Sequence, residues 1–168
     1  MNPSLEQLVL VRHAHAEPAG PGQADADRGL SPLGRAEGRA LGHWLLASIP
    51  APDLVLCSPA RRTRETLAEL VEAGCRLPAV EFEPRIYEAT PGTLLALADD
   101  AMAARPDVRR IWMIGHNPGL ELLMAHLDDG VRAGPLGLRT GSAVVLAPMA
   151  GSPFGLPASA RLAAFHPA

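Results

Sequence analysis

Leu8-Val9-Leu10-Val11-Arg12-His13-Ala14-His15 runs four apolar residues straight into an arginine and two histidines. An apolar run this short fits a strand covered on both faces, as in the middle of a parallel sheet. Leu54-Val55-Leu56-Cys57 and Ile111-Trp112-Met113-Ile114 have the same character. All three are expected to be central, parallel strands. Between them helical periodicity covers Ala36 to Ile49, Thr63 to Ala73, Leu94 to Ala104 and Leu120 to Leu127. Strand alternating with helix predicts an α/β fold, a mainly parallel mixed sheet flanked by helices in three layers.

Ser31-Pro32, Ser58-Pro59, Thr90-Pro91 and Asn117-Pro118 each put a capping side chain before a proline. Proline suits the first helical position because its missing N–H would be unpaired there, so these dipeptides mark four helix starts. Val80-Glu81-Phe82 reads as a weaker strand. Ala143 to Leu146 and Arg161 to Phe165 read as a terminal hairpin at the sheet's edge, across the Gly/Pro-rich turn Ala150 to Ala158. The loops Glu17 to Gly29 and Asp128 to Gly141 are longer than ordinary connections, which favours a functional rim or mobility over packing. Trp44, Phe82 and Trp112 lie in apolar runs and read as core.

The chain has 168 residues and a net charge of -3. That length fits one domain, 1–168, able to bury roughly 70% of its unfolded surface. Scattered positive charge gives no footprint for nucleic acid. All 15 basic residues are arginine, which removes Schiff-base lysine chemistry and the lysine-dependent phosphate loop. Cys57 and Cys75 are too few for a disulfide scaffold, and Cys57 reads as buried strand filler. No basic leader precedes Leu8 and no stretch nears the roughly 20 apolar residues of a membrane helix. The expectation is a cytoplasmic protein without signal peptide or membrane span; the oligomeric state is left open.

Each central strand delivers reactive residues to its carboxyl end, the edge where open α/β sheets bind ligands. The first brings Arg12, His13 and His15. After the second, Ser58-Pro59-Ala60-Arg61-Arg62 brings two arginines on different helical faces, so at most one points inward; Arg62 is preferred, although spacing alone does not separate it from Arg61. The third ends in Gly115-His116-Asn117-Pro118-Gly119, which sets an imidazole beside the free N–H groups of a helix start. Alone, each histidine reads as a turn cap and each arginine as a solvated charge. Their convergence is harder to explain by packing. Guanidinium forks match phosphoryl oxygens and a neutral imidazole can attack phosphorus, so phosphoryl transfer fits best.

Arg12-His13-Ala14, Leu30-Ser31-Pro32-Leu33-Gly34-Arg35, the Ser-Pro-x-x-Arg ending at Arg62, and Gly115-His116-Asn117 together resemble the histidine phosphatase superfamily over residues 8 to about 147. Small size and these details look most like its SixA-type phosphohistidine phosphatases. The resemblance implies a phosphoglycerate mutase-like fold, with His13 as nucleophile, Arg12 and Arg62 on the phosphoryl oxygens, and His116 as the second, charge-stabilising histidine. Glu88 lies where many members carry a general acid, though a glutamate before a helix also simply favours the helix dipole. Ala14 stands where the commonest opening motif has glycine, as in some SixA-type members. Asp25, Asp27 and Arg28 either contact substrate, brace the arginines or, as the preferred reading, are solvated. Thr140-Gly141-Ser142 is as consistent with a turn as with a substrate contact.

The expected function is a phosphatase without metal or cofactor, acting on a phosphohistidine-bearing protein. The alternatives are a phosphomonoesterase for a small phosphorylated substrate and a non-catalytic phosphoryl-binding module. A metal hydrolase built on His13-Ala14-His15 ranks last, because no further cluster completes a ligand set.

Overall fold

A computed structural model describes residues 5–128 and 137–168. Strands β1 (Gln7–Arg12), β2 (Leu54–Cys57), β3 (Val80–Phe82), β4 (Arg110–Gly115), β5 (Ala143–Pro148) and β6 (Ala160–His166) form one sheet in the order β3-β2-β4-β1-β5-β6. Pairings β3-β2, β2-β4 and β4-β1 are parallel, and β5 and β6 close the other side antiparallel. The three apolar runs are therefore the neighbouring strands β2, β4 and β1, and the terminal hairpin supplies an edge.

Continuous apolar strands require cover on both faces, and two separate cores supply it. Leu8, Leu10, Leu54, Leu56, Ile111 and Met113 face helices α3 (Pro91–Ala104) and α4 (Gly119–Leu127). The alternate residues Val9, Val11, Val55, Cys57, Trp112 and Ile114 face α1 (Pro32–Ser48) and α2 (Arg61–Glu72). Period-two alternation thus loads both sides equally, giving a three-layer mixed sheet flanked by four helices.

Two of the four expected caps form. Ser31 Oγ accepts from Gly34 N and Thr90 Oγ1 accepts from Thr93 N, each with proline at the helix start. Ser58 and Asn117 do not cap: α2 starts after Ala60 and α4 after Pro118. Their side chains are used in the site. Phe82, read as core, is 53% exposed, because β3 is a three-residue edge strand with weak cover. Trp112 is buried as expected, and Trp44 is half-buried against the α1/α2 core.

Gly34 fixes how closely α1 approaches the end of β1. A Cβ there would lie 1.9 Å from the His15 carbonyl oxygen. Gly115 does the same at the end of β4, where a Cβ would lie 2.7 Å from Ile86 Cγ2. No helix among the described residues is long and apolar enough to cross a membrane.

Candidate active site

The order β2-β4-β1 sets three strand ends side by side. His13 N donates to the Gly115 carbonyl at 3.0 Å and Ser58 N to the Ile114 carbonyl at 3.0 Å. This stitches the tips of β1, β2 and β4 together beyond the last sheet pairs. His13 and His116 both lie on the strand parity that faces α1 and α2. Their ring centroids are 5.2 Å apart, and both residues are buried.

Partner chemistry fixes both tautomers. His13 Nδ1 lies 2.8 Å from the Ala14 carbonyl oxygen, which can only accept, so Nδ1 carries the proton and Nε2 keeps its lone pair. His116 Nδ1 lies 3.3 Å from Arg62 Nη2, which can only donate; Nδ1 is therefore the acceptor, and Nε2–H donates to Ser58 Oγ at 2.9 Å. Burial, helped by the charges of Arg62 and Arg12, lowers His13 from 6.5 to about 4. Burial, then Arg62 and His13, lowers His116 to about 3. The resting site thus presents two neutral imidazoles, one with an unshared Nε2 lone pair.

Arg62, in the first turn of α2, is buried, whereas Arg61 turns outward and pairs with Glu65 at 2.7 Å. Arg62 Nη1 donates to the Asp25 carbonyl at 2.7 Å and Nη2 to Asp25 Oδ2 at 2.9 Å. Arg12 Nη1 donates to the Leu138 carbonyl at 2.7 Å, which also accepts from Asn117 Nδ2 at 2.9 Å. The Nε–H groups of Arg12 and Arg62 are buried and have no acceptor among the described residues. Unmet charged donors beside a neutral imidazole form a setting that an oxyanion would complete.

A cavity of about 440 Å³ opens over Arg62 and His116. Tyr87, Pro91, Pro118 and Leu122 give it a largely apolar wall, and Glu88 stands in its lining. Glu88 is exposed and holds a left-handed backbone at φ 53°.

Arg12, His13, Arg62 and His116 are therefore brought together as the sequence expects, and Glu88 lines the cavity that opens over Arg62 and His116. His15 turns away: its Nδ1 meets Ser31 Oγ at 2.7 Å, while His13 Nδ1 meets Ala14. Among the described residues no group of three or more His, Cys, Asp or Glu is arranged to hold a metal. Asp25, read as solvated, instead braces Arg62 and accepts from Tyr87 Oη at 2.6 Å. Arg28 closes on its other oxygen at 2.8 Å. Ser58, Tyr87 and Asn117 are members of the site that sequence reasoning missed. A capping dipeptide concealed Ser58 and Asn117, and only proximity to Glu88 hinted at Tyr87.

Comparison with known proteins gives consistent findings. The histidine phosphatase superfamily (branch 1) matches residues 8–127. An uncharacterized protein of Mycobacterium tuberculosis is 41% identical over 105 residues, covering 62% of this chain and 62% of that protein's length. A solved structure provisionally assigned as the phosphohistidine phosphatase SixA from Agrobacterium tumefaciens superposes with TM-score 0.79 at 31% identity, over 96% of this chain and 97% of the other. A second with the same provisional assignment, from Nakamurella multipartitia, gives 0.77 at 30% identity, over 96% and 95%.

Proposed function

Because the chain belongs to the histidine phosphatase superfamily (branch 1), and membership supports a phosphatase, we propose that it hydrolyses phosphoryl groups by transient phosphorylation of His13, with phosphohistidine in a protein as donor. The observation that carries this reading is the His13 tautomer. Its Nδ1–H is held on the Ala14 carbonyl, so Nε2 is a neutral nucleophile at physiological pH.

In the first step the Nε2 lone pair attacks phosphorus, and the bond from phosphorus to the leaving nitrogen breaks. The electron pair departs with that nitrogen. A leaving imidazole already protonated on its other nitrogen needs no further proton, so P–N cleavage asks little of an enzyme acid. Arg12 and Arg62 hold the equatorial oxygens. Positive charge and positioning provide most of the acceleration, since such transition states have modest covalent demands. His116 is held neutral by burial first and then by the Arg62 charge, and a dianion beside it opposes both effects, favouring an imidazolium whose charge stabilises the phosphoryl group. In the second step water attacks the same phosphorus and the P–Nε2 bond breaks. The water's proton ends on the departing phosphate or its buffer, and His13 is regenerated. Two guanidinium groups and two imidazoles serve here where other phosphatases use a metal, and the domain needs no cofactor.

The likeness at 31% identity to a structure provisionally assigned as a phosphohistidine phosphatase supports the substrate class. The same cavity, open and carrying Glu88, also suits a small phosphomonoester, whose alkoxide needs an acid. The primary test is rapid alkaline denaturation during turnover, then peptide mass analysis, because acid would destroy the adduct. The added phosphate is expected on His13 and absent in His13→Ala. Its consistent appearance on His116 would overturn the assignment.

A further inference from the structure

Four side chains close a ring, and the steps above do not use two of them, Tyr87 and Asp25. Tyr87 Oη donates to Asp25 Oδ2 at 2.6 Å, and Asp25 accepts from Arg62 at both its carboxylate and its carbonyl oxygen, at 2.9 and 2.7 Å. Arg62 Nη2 then reaches His116 Nδ1 at 3.3 Å. The His116 ring returns to Tyr87, edge to face at 5.1 Å, and the Arg62 guanidinium lies 5.8 Å from the same Tyr87 ring. Resting on the reading that Arg62 binds phosphoryl oxygens, we propose that Asp25 is a positioning residue: it fixes the plane of the Arg62 guanidinium, and through it the contact with His116.

Arginine carries about 2 kcal/mol of rotamer entropy, and its fork is useful only when its plane is set. Two hydrogen bonds to one residue set that plane more strictly than one would. Asp25 is itself held from both sides, by Tyr87 on Oδ2 and by Arg28 Nε on Oδ1 at 2.8 Å. It lies in a short 3-10 turn, Asp25–Asp27, within the long loop before α1. That loop thus governs the geometry of a residue rooted on α2.

Exposure separates this role from folding. The Asp25 side chain is 52% exposed, and when it is lost the buried Arg62 keeps the Asp25 backbone carbonyl as an acceptor. The same bonds act on a buried guanidinium, where small misplacements are expensive for rate. A displacement of about 1 Å in positioning groups can cost about a hundredfold. Losing Asp25 should therefore change catalysis far more than melting.

The test compares Asp25→Ala, Asp25→Asn, Tyr87→Phe and the double variant Asp25→Ala/Tyr87→Phe by kcat, KM, tungstate affinity and Tm. Asp25→Ala is expected to lower kcat/KM about 10- to 100-fold, as loss of an orienting partner typically does. It should weaken tungstate binding in step while Tm holds. Asp25→Asn keeps an acceptor and should lie between. Tyr87→Phe should cause a smaller loss that disappears in the Asp25→Ala background, since both act through one node. Unchanged rate and tungstate affinity in Asp25→Ala would overturn the proposal. So would independent, multiplying losses, or a rate loss that tracks a fall in Tm. Tungstate binding needs no turnover, so these arms report on Asp25 even if phosphate were found on a residue other than His13.

Discussion

Glu88 poses the sharpest question at the scale of a single residue. A glutamate at φ 53° occupies a region that non-glycine residues visit at a cost of order 1–3 kcal/mol, and such residues concentrate at functional sites. Here it lines the cavity over Arg62 and His116. If it is the leaving-group acid, its contribution should depend on what leaves. An alkoxide needs the proton badly, a contribution of about 10²- to 10⁴-fold, whereas an imidazole departs without it. Glu88→Gln should therefore cripple kcat on alkyl phosphates while sparing phosphohistidine. Equal losses on both substrates, in protein of unchanged Tm, would count against that role. The place of His13 beside His116 was legible from sequence, because a strand tip allows few destinations for it. Asp25 was not: its loop has no periodicity, and only the fold shows that the 3-10 turn lands on α2.

At the scale of elements, the site depends on how tightly α1 closes on the end of β1. Ser31 does two things there. Its Oγ accepts from Gly34 N to start α1, and it meets His15 Nδ1. Three residues along, Gly34 lets the helix lie against the His15 carbonyl, where a Cβ would come within 1.9 Å. Backbone cannot move aside as a flexible side chain can. Gly34→Ala should therefore push α1 off the strand end and destabilise the fold by at least the 1–3 kcal/mol or so typical of overpacking, read as a lower denaturation midpoint. Ala14, whose N–H bonds to Thr66 Oγ1 at 3.0 Å, should shift with it. A midpoint within error of the parent would show that the approach is looser than this. The strands and helices themselves were readable, since apolar runs and 3.6-residue periodicity are local signals. The Ser58 and Asn117 starts misled because the same dipeptide that caps a helix also ends a strand. At Ser58 the neighbouring strand tip offers a stronger partner, His116 Nε2. At Asn117 the side-chain amide instead reaches Glu121 Oε2 and the Leu138 carbonyl.

At the scale of the whole molecule, two imidazoles held neutral by burial are a thermodynamic load on the fold, and pH exposes it. His13 and His116 bind a proton at about 4 and about 3 in the folded chain, against 6.5 for an ordinary histidine. His166 is lowered too, by burial. Between those limits the unfolded chain holds more protons than the folded one, so stability rises with pH, by about 1.4 kcal/mol per pH unit for each proton in excess. Acidification from 6.5 towards 4 should therefore weaken the fold, and the slope from these histidines should fade within about one pH unit above 6.5. The carboxylates add to acid sensitivity in a lower window. Asp53, held low by Arg110 and by the amides of Arg109 and Arg110 against the opposing effect of burial, loses its contribution only as pH falls through its ordinary value of 3.8 and below. The two windows can be separated by denaturant midpoints measured from pH 7 to 4.5 on parent, His13→Gln and His116→Gln. Each variant removes one proton-linked term and should show a flatter decline than the parent, with the remaining site histidine and His166 leaving a residual slope in both. Parallel declines would mean that the imidazoles are not held neutral by the fold, and the neutral His13 nucleophile would lose its physical basis.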